Sequence, residues 1–286
     1  MRLIQPHRLV EQLEIINFAS QNRTNMNTVI VPVDFSPTSL HAAQYAAKLL
    51  TGHYGVNMVL YHSYDDADDF AKAEKNMEKL KEMLMAANPV KMEVLLHQES
   101  DFVEGLEKAA RHRHADLVIM GITGKSALAQ VFFGSNTLKM AETKACPVLI
   151  VPESAPINPI KNVMLTSDFK NTFNTTPSVP IKKILDAFQP QMSIVNVDEE
   201  HFISLTEKYE EEKQQLKKLF ADYRPEFYFM RLYDVDEALN IFAETRDIDM
   251  IIVIQKDQSF ITKLFKTNRT KKLTYHSKVP ILVVHE

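Results

Sequence analysis

Residues 115–152 read ADLVIMGITGKSALAQVFFGSNTLKMAETKACPVLIVP. The apolar run Leu117-Val118-Ile119-Met120 suits a strand buried on both faces, as in a parallel sheet covered by helices. Gly121 and Gly124 follow it. After nine further residues comes Gly134, with Ser135, Asn136 and Thr137 directly behind. A helical stretch then leads to a second apolar strand, Val148–Val151. Glycine lets a backbone approach a ligand closely, because no Cβ stands in the way. A Gly-Ser at a helix start offers backbone N–H groups and a hydroxyl where the helix dipole is positive. The combination suits a phosphate chain.

Working outward, the chain before this stretch alternates strands and helices. Strands are predicted at 28–33, 56–62 and 90–96. Ser36-Pro37 caps a helix to about Leu50, with Gly52 as its stop. Residues 70–87 place Phe70, Met77, Leu80, Met83 and Leu84 on one helical face, a core stripe. Ser100 or Asp101 caps a helix to His112. This order predicts an α/β domain with a doubly wound parallel sheet. Ligands of such sheets bind beyond the carboxyl ends of the strands, at the switch point. Asp34 and Gly121 both close a strand, so two distant segments converge on one cleft.

The spacing Gly-x2-Gly-x9-Gly-Ser, with Val31-Pro32-Val33-Asp34-Phe35-Ser36 upstream and Cys146-Pro147-Val148-Leu149-Ile150-Val151 downstream, resembles the nucleotide-binding signature of the universal stress protein family. The resemblance covers about Met26 to Pro152, and a fainter copy follows. It implies tandem five-stranded Rossmann-like domains, of the kind shared with adenine nucleotide alpha-hydrolases, and ATP as ligand. Asp34 would then lie near the adenosine part, with Pro32, Val33 and Met120 beside the nucleoside and the Ser63 backbone at the base. Gly121, Thr123 and Gly124 would follow the ribose and phosphates, and Gly134, Ser135, Asn136 and Thr137 would hold the phosphate end. Mg²⁺ or Mn²⁺ would come with the nucleotide, held largely by phosphates and water. Family members commonly dimerise through their last strand. The two copies in this chain are therefore expected to pair there as a pseudo-dimer, with a further homo-oligomer left open.

The copy is visible in the residues. Val163–Phe169 echoes Val29–Phe35, with Asp168 matching Asp34 at an offset of 134. Asp249–Ile254 echoes Asp116–Gly121 and Val279–Val284 echoes Cys146–Val151, both at an offset of 133. Matching order and offset argue for internal duplication. The expected organisation is an extension over 1–25, a nucleotide-binding domain over 26–152, a proline-containing linker over 153–160 and a degenerate domain over 161–286. All six glycines precede Glu153; Ile254, Asp257 and Thr267 stand where Gly121, Gly124 and Gly134 stood. The second copy is thus expected to keep the sheet and lose the phosphate cradle. Its acidic run Glu207–Glu212 reads as a solvated helix face.

Composition bounds the remaining classes. At 286 residues and 45% hydrophobic content, the chain can build two cores. Its net charge of −4 divides evenly at Glu153, so neither half has the basic balance of a nucleic-acid binder. No apolar run reaches a membrane span and residues 1–25 are not signal-like, which leaves the cytoplasm as the default. The single cysteine, Cys146, reads as a small buried residue. Gly124-Lys125-Ser126 is not a P-loop, because its first glycine would fall on Ile119. The histidines, His112 and His114 included, lack zinc-site spacing. No nucleophile–base pair stands out. The leading expectation is a regulatory ATP-binding protein of the stress-response kind, with at most weak hydrolysis. The alternatives are a slow ATPase or phosphate-transferring enzyme, and a ligand-free interaction module.

Overall fold

The computed structural model describes residues 25–122, 135–198, 207–231, 235–255 and 278–286. The expected extension before residue 25 lies outside them. In the first copy the order is β1 (Thr28–Pro32), α1 (Pro37–Leu49), β2 (Asn57–Tyr64), α2 (Phe70–Ala87), β3 (Lys91–Gln98), α3 (Phe102–His112), β4 (Leu117–Ile122), α4 (Ser135–Glu142) and β5 (Val148–Pro152). The second copy runs β6 (Asn162–Thr166), α5 (Thr172–Thr175), α6 (Ser178–Phe188), β7 (Gln191–Asp198), α7 (Glu207–Leu219), β8 (Glu226–Arg231), α8 (Val235–Thr245), β9 (Met250–Gln255) and β10 (Ile281–His285).

Among the described residues, ten strands form one sheet in the order β3-β2-β1-β4-β5-β10-β9-β6-β7-β8. Within each copy every pairing is parallel, the doubly wound order the sequence predicts. At the centre, β5 and β10 run antiparallel, with Ile150 opposite Ile281 and Val148 opposite Val283. Alternate residues of each strand enter two apolar layers. Val29 and Val31 pack under α1, α2, α6 and α7; Ile30 packs with α3, α4 and α8 on the opposite face. Each layer runs across both copies. No described helix is long and apolar enough to cross a membrane.

Local signals explain the elements. The Ser36 hydroxyl accepts from Ser39 N–H at 3.2 Å and Pro37 occupies the first turn of α1. Gly52 takes φ +87° beyond its end. Asp101, not Ser100, caps α3, accepting from the Val103 and Glu104 amides. In α2 the stripe is narrower than expected. Ala73, Met77, Leu80 and Leu84 are buried, whereas Phe70 and Met83 are exposed. Met83 sits about 100° around the helix from Leu84, enough to turn it outward.

The duplication extends to hydrogen bonds. Asp116, just before β4, accepts from Asn27 N–H (2.6 Å) and Thr28 N–H (3.1 Å). Asp249, just before β9, does the same for Lys161 N–H (2.8 Å) and Asn162 N–H (2.9 Å). Phe35 and Phe169 both adopt positive φ, 63° and 53°. An ion pair joins the copies, from Lys183 on α6 to Asp116.

Candidate functional site

The first copy places its strand order 3-2-1-4-5 so that the direction of winding reverses between β1 and β4. Val29 lies opposite Leu117 and Ile30 opposite Val118. Carried on along the strands, this register brings Val33-Asp34 level with Gly121-Ile122 at the carboxyl edge. This is the crevice where a doubly wound sheet binds its ligand.

Each side of the crevice is held in a definite way. The Val33 amide donates to the Tyr61 carbonyl at 2.8 Å, and His62 Nδ1 meets the Val33 carbonyl at 2.6 Å, where only a protonated Nδ1 can donate. Asp34 then turns out of the sheet, accepting from Ser36 N–H at 2.9 Å. Burial pushes the Asp34 carboxyl up, but hydrogen bonds from Ser36 and Ser39 outweigh it and hold the carboxyl below its ordinary value. On the other side, Thr137 is buried in the first turn of α4 and its hydroxyl donates to the Gly121 carbonyl at 2.8 Å. That bond fixes the start of α4 against the end of β4.

The remaining candidates divide by position. Pro32 is the buried last residue of β1, opposite Tyr61. Val33 is buried in the layer that holds α1 and Met120 in the layer that holds α3. Ser63 is half-buried on β2, opposite His97. Ser135 opens α4, and Asn136 behind it is exposed. Thr123, Gly124 and Gly134 lie outside the described residues, as do Asp257 and Thr267.

A cavity of about 480 Å³ opens beside the crevice, over the ends of β2 and β3. Phe35, Ser63, Tyr64, Ala73, Asn76 and Phe102 line it, and Asp65, Asp69, Glu99 and Lys72 bring charge to it. Sequence reasoning set only Ser63 among these against a ligand, because the lining comes from separate segments with no common spacing. A hydrogen bond from Lys108 holds the Glu99 carboxyl below its ordinary value.

The second copy treats the same region differently. Tyr209 and Leu216 of α7 and Phe220 just beyond it are buried. The Tyr209 ring stacks on Phe169, with centroids 4.8 Å apart and planes 19° from parallel. Phe229 packs against both rings. Glu212 accepts from Asn171 N–H (3.1 Å), Thr172 N–H (2.7 Å) and the Thr172 hydroxyl (2.7 Å). The acidic run is therefore not simply a solvated face, because Glu212 binds the backbone entering α5. Ile254, in the place of Gly121, packs against the layer that holds α6 and α7. Among the described residues, no group of three or more His, Cys, Asp or Glu side chains is arranged to hold a metal ion.

A duplicated doubly wound sheet with its crevice at the β1/β4 reversal defines the class: an α/β protein of two fused Rossmann-like halves. The chain belongs to the universal stress protein family, whose sequence model matches residues 26–152 and 185–285. A universal stress protein of Thermus aquaticus is 28% identical over 134 residues, covering 43% of this chain and 97% of the relative. One from Methanocaldococcus jannaschii is 29% identical over 157 residues, covering 48% and 89%. The solved universal stress protein of Archaeoglobus fulgidus superposes over 91% of this chain and 98% of its own, with TM-score 0.66 and 18% identity, a likeness of fold. The family match in the second copy resumes only at Leu185, leaving out β6, α5 and the start of α6.

Proposed function

We propose that this chain binds an adenine nucleotide, with ATP as the leading candidate, in the crevice of its first copy alone, and that occupancy of this site is its regulatory signal. The observation that carries the reading is the meeting of Asp34 and Gly121 at the β1/β4 reversal, with Thr137 tying the start of α4 to Gly121. The sequence then supplies Gly124 and Gly134-Ser135 on the connection between β4 and α4. The family includes a universal stress protein solved in complex with cAMP. In this chain Asp34 would meet the adenosine part, and the glycines with Ser135 and Asn136 the phosphates. Divalent metal would arrive with the phosphates, in the manner of Mg²⁺ sites that use few protein ligands.

The second copy is read as a structural partner. Three observations support this: Ile254 replaces Gly121, Tyr209 fills the space against Phe169, and Glu212 takes the amides of Asn171 and Thr172. Calorimetric titration of the full chain with ATP and Mg²⁺ tests the proposal. The expected stoichiometry is near one per chain. A stoichiometry near two refutes the one-site reading, and no heat or displacement with any adenine nucleotide refutes the function.

A further inference from the structure

Helix α4 of the first copy is held at both ends, and one of the two holds comes from the other copy. At its start, the Thr137 hydroxyl donates to the Gly121 carbonyl. At its end, the last carbonyls of a helix have no partner within it. Thr143, just beyond, gives its amide (3.1 Å) and its hydroxyl (2.9 Å) to the Met140 carbonyl. The Ala141 carbonyl meets His285 Nε2 of β10 at 2.9 Å; a carbonyl only accepts, so Nε2 carries the proton. His285 is placed by its strand, opposite Gln255 of β9 and two residues beyond the Val283–Val148 pair. Met140 and Ala141 are buried in the apolar layer that holds Ile281 and Val283. The bond runs one way. At the offset of 133 that relates β5 to β10, His285 matches Pro152, whose side chain has no donor to give in return.

We propose that His285 is a positioning residue for the nucleotide site of the first copy, holding α4 so that the turn carrying Ser135, Asn136 and Thr137 stays set for phosphates. The inference rests on the nucleotide reading above and adds that the second copy takes part in binding without touching the ligand. At eight residues, α4 is about 12 Å long, so a shift at its end reaches its start. A helix so short has little stability of its own and takes its place from its contacts. Burial holds His285 below its ordinary value, with the Ala141 bond opposing and Lys144 adding to the effect. The imidazole is then neutral near neutrality, and its single N–H is committed to Ala141.

Three full-length variants test this. His285→Ala removes the donor, His285→Leu removes it but keeps apolar bulk, and His285→Gln keeps an N–H at similar reach. Thermal melts check folding, and His285→Leu decides the matter if His285→Ala is unfolded. Both donor-free variants should bind ATP with Mg²⁺ about two- to tenfold more weakly, the loss of one ordinary hydrogen bond. His285→Gln should restore the affinity. Adenosine has no phosphate and should bind wild type and variants alike. Without ligand, amide exchange over residues 138–142 should be faster in His285→Leu and return toward wild type in His285→Gln. If wild type binds no adenine nucleotide, the nucleotide reading fails and the role of His285 with it. If wild type binds ATP and a folded donor-free variant binds it equally well, only the role of His285 fails. Equal losses for ATP and adenosine overturn its action at the phosphate end. Unchanged exchange in α4, or no rescue by glutamine, overturns the hold through Ala141.

Discussion

The Thr38 carbonyl oxygen lies 2.5 Å from where a Cβ on Gly121 would stand, and the Thr38 methyl 2.6 Å from it. Gly121 is therefore a packing requirement before it is anything else: α1 rests on the bare backbone of β4. The second copy carries Ile254 at this position, and a side chain there excludes so close an approach. The segment after β6 is divided between α5 and α6, and Glu212 holds its start. Gly121→Ala should destabilise the fold by about 1–3 kcal/mol, as overpacking of a filled site does. Urea denaturation measures it. A midpoint equal to wild type would show that α1 yields freely. For the same reason, Gly124→Val is the better probe of nucleotide binding.

Asp116 and Asp249 clamp equivalent strand starts, but only Asp116 also receives Lys183 from the other copy. Asp116→Ala removes the acceptor of the Asn27 and Thr28 amides and of the half-buried Lys183 ammonium. It should cost more stability than Asp249→Ala. In a Lys183→Met background the two costs should converge, which a double-mutant cycle reads directly. Unequal costs that persist in that background would place the difference elsewhere.

Asp34 links stability to pH. Its pKa is lowered in the folded chain from an ordinary value of 3.8, so its ionised form is favoured by folding. That contribution is fully present above pH 3.8 and is lost as pH falls through the lower folded value. The stability gap between wild type and Asp34→Ala should therefore be constant near neutrality and narrow below pH 3.8. Denaturation midpoints across the acid range test this, and a gap that widens on acidification contradicts it.

Much of the fold is legible in the sequence, because buried parallel strands write themselves as apolar runs. Leu117–Met120 and Val148–Val151 are the clearest cases, and matched offsets reveal their copies. The crevice is legible for a related reason: Asp34 and Gly121 end such runs. The reasons behind some residues are not legible. Nothing in the spacing of Gly121 distinguishes a glycine that admits a ligand from one that admits Thr38. Val33 and Met120 look alike until strand pleating sends them to opposite faces. Glu212 sits in a run whose composition signals solvent, and its bonds reach back about forty residues, to Asn171 and Thr172.

Burial pushes the Cys146 thiol up to about 12, with Asp116 adding to the effect. At pH 8 its thiolate fraction is then about one in ten thousand, and the thiolate is the reactive form. Native protein should react with a disulfide reagent orders of magnitude more slowly than protein in denaturant. Rapid native labelling would mean that the strand start carrying Cys146 opens readily.

The three-residue antiparallel match of Val148–Ile150 with Ile281–Val283 joins two halves that one polypeptide carries together. Two separate chains meeting at such a seam would come apart on dilution, and their stability would depend on concentration. Here the tether sets the local concentration, and dilution cannot part the halves. It also breaks a constraint of genetics. In a homodimer every substitution appears twice, so a residue that plugs one site plugs both. In the fused chain Tyr209, Glu212 and Ile254 can accumulate on one side while Gly121 persists on the other. The seam is what allows one half to become a dedicated scaffold for its sibling.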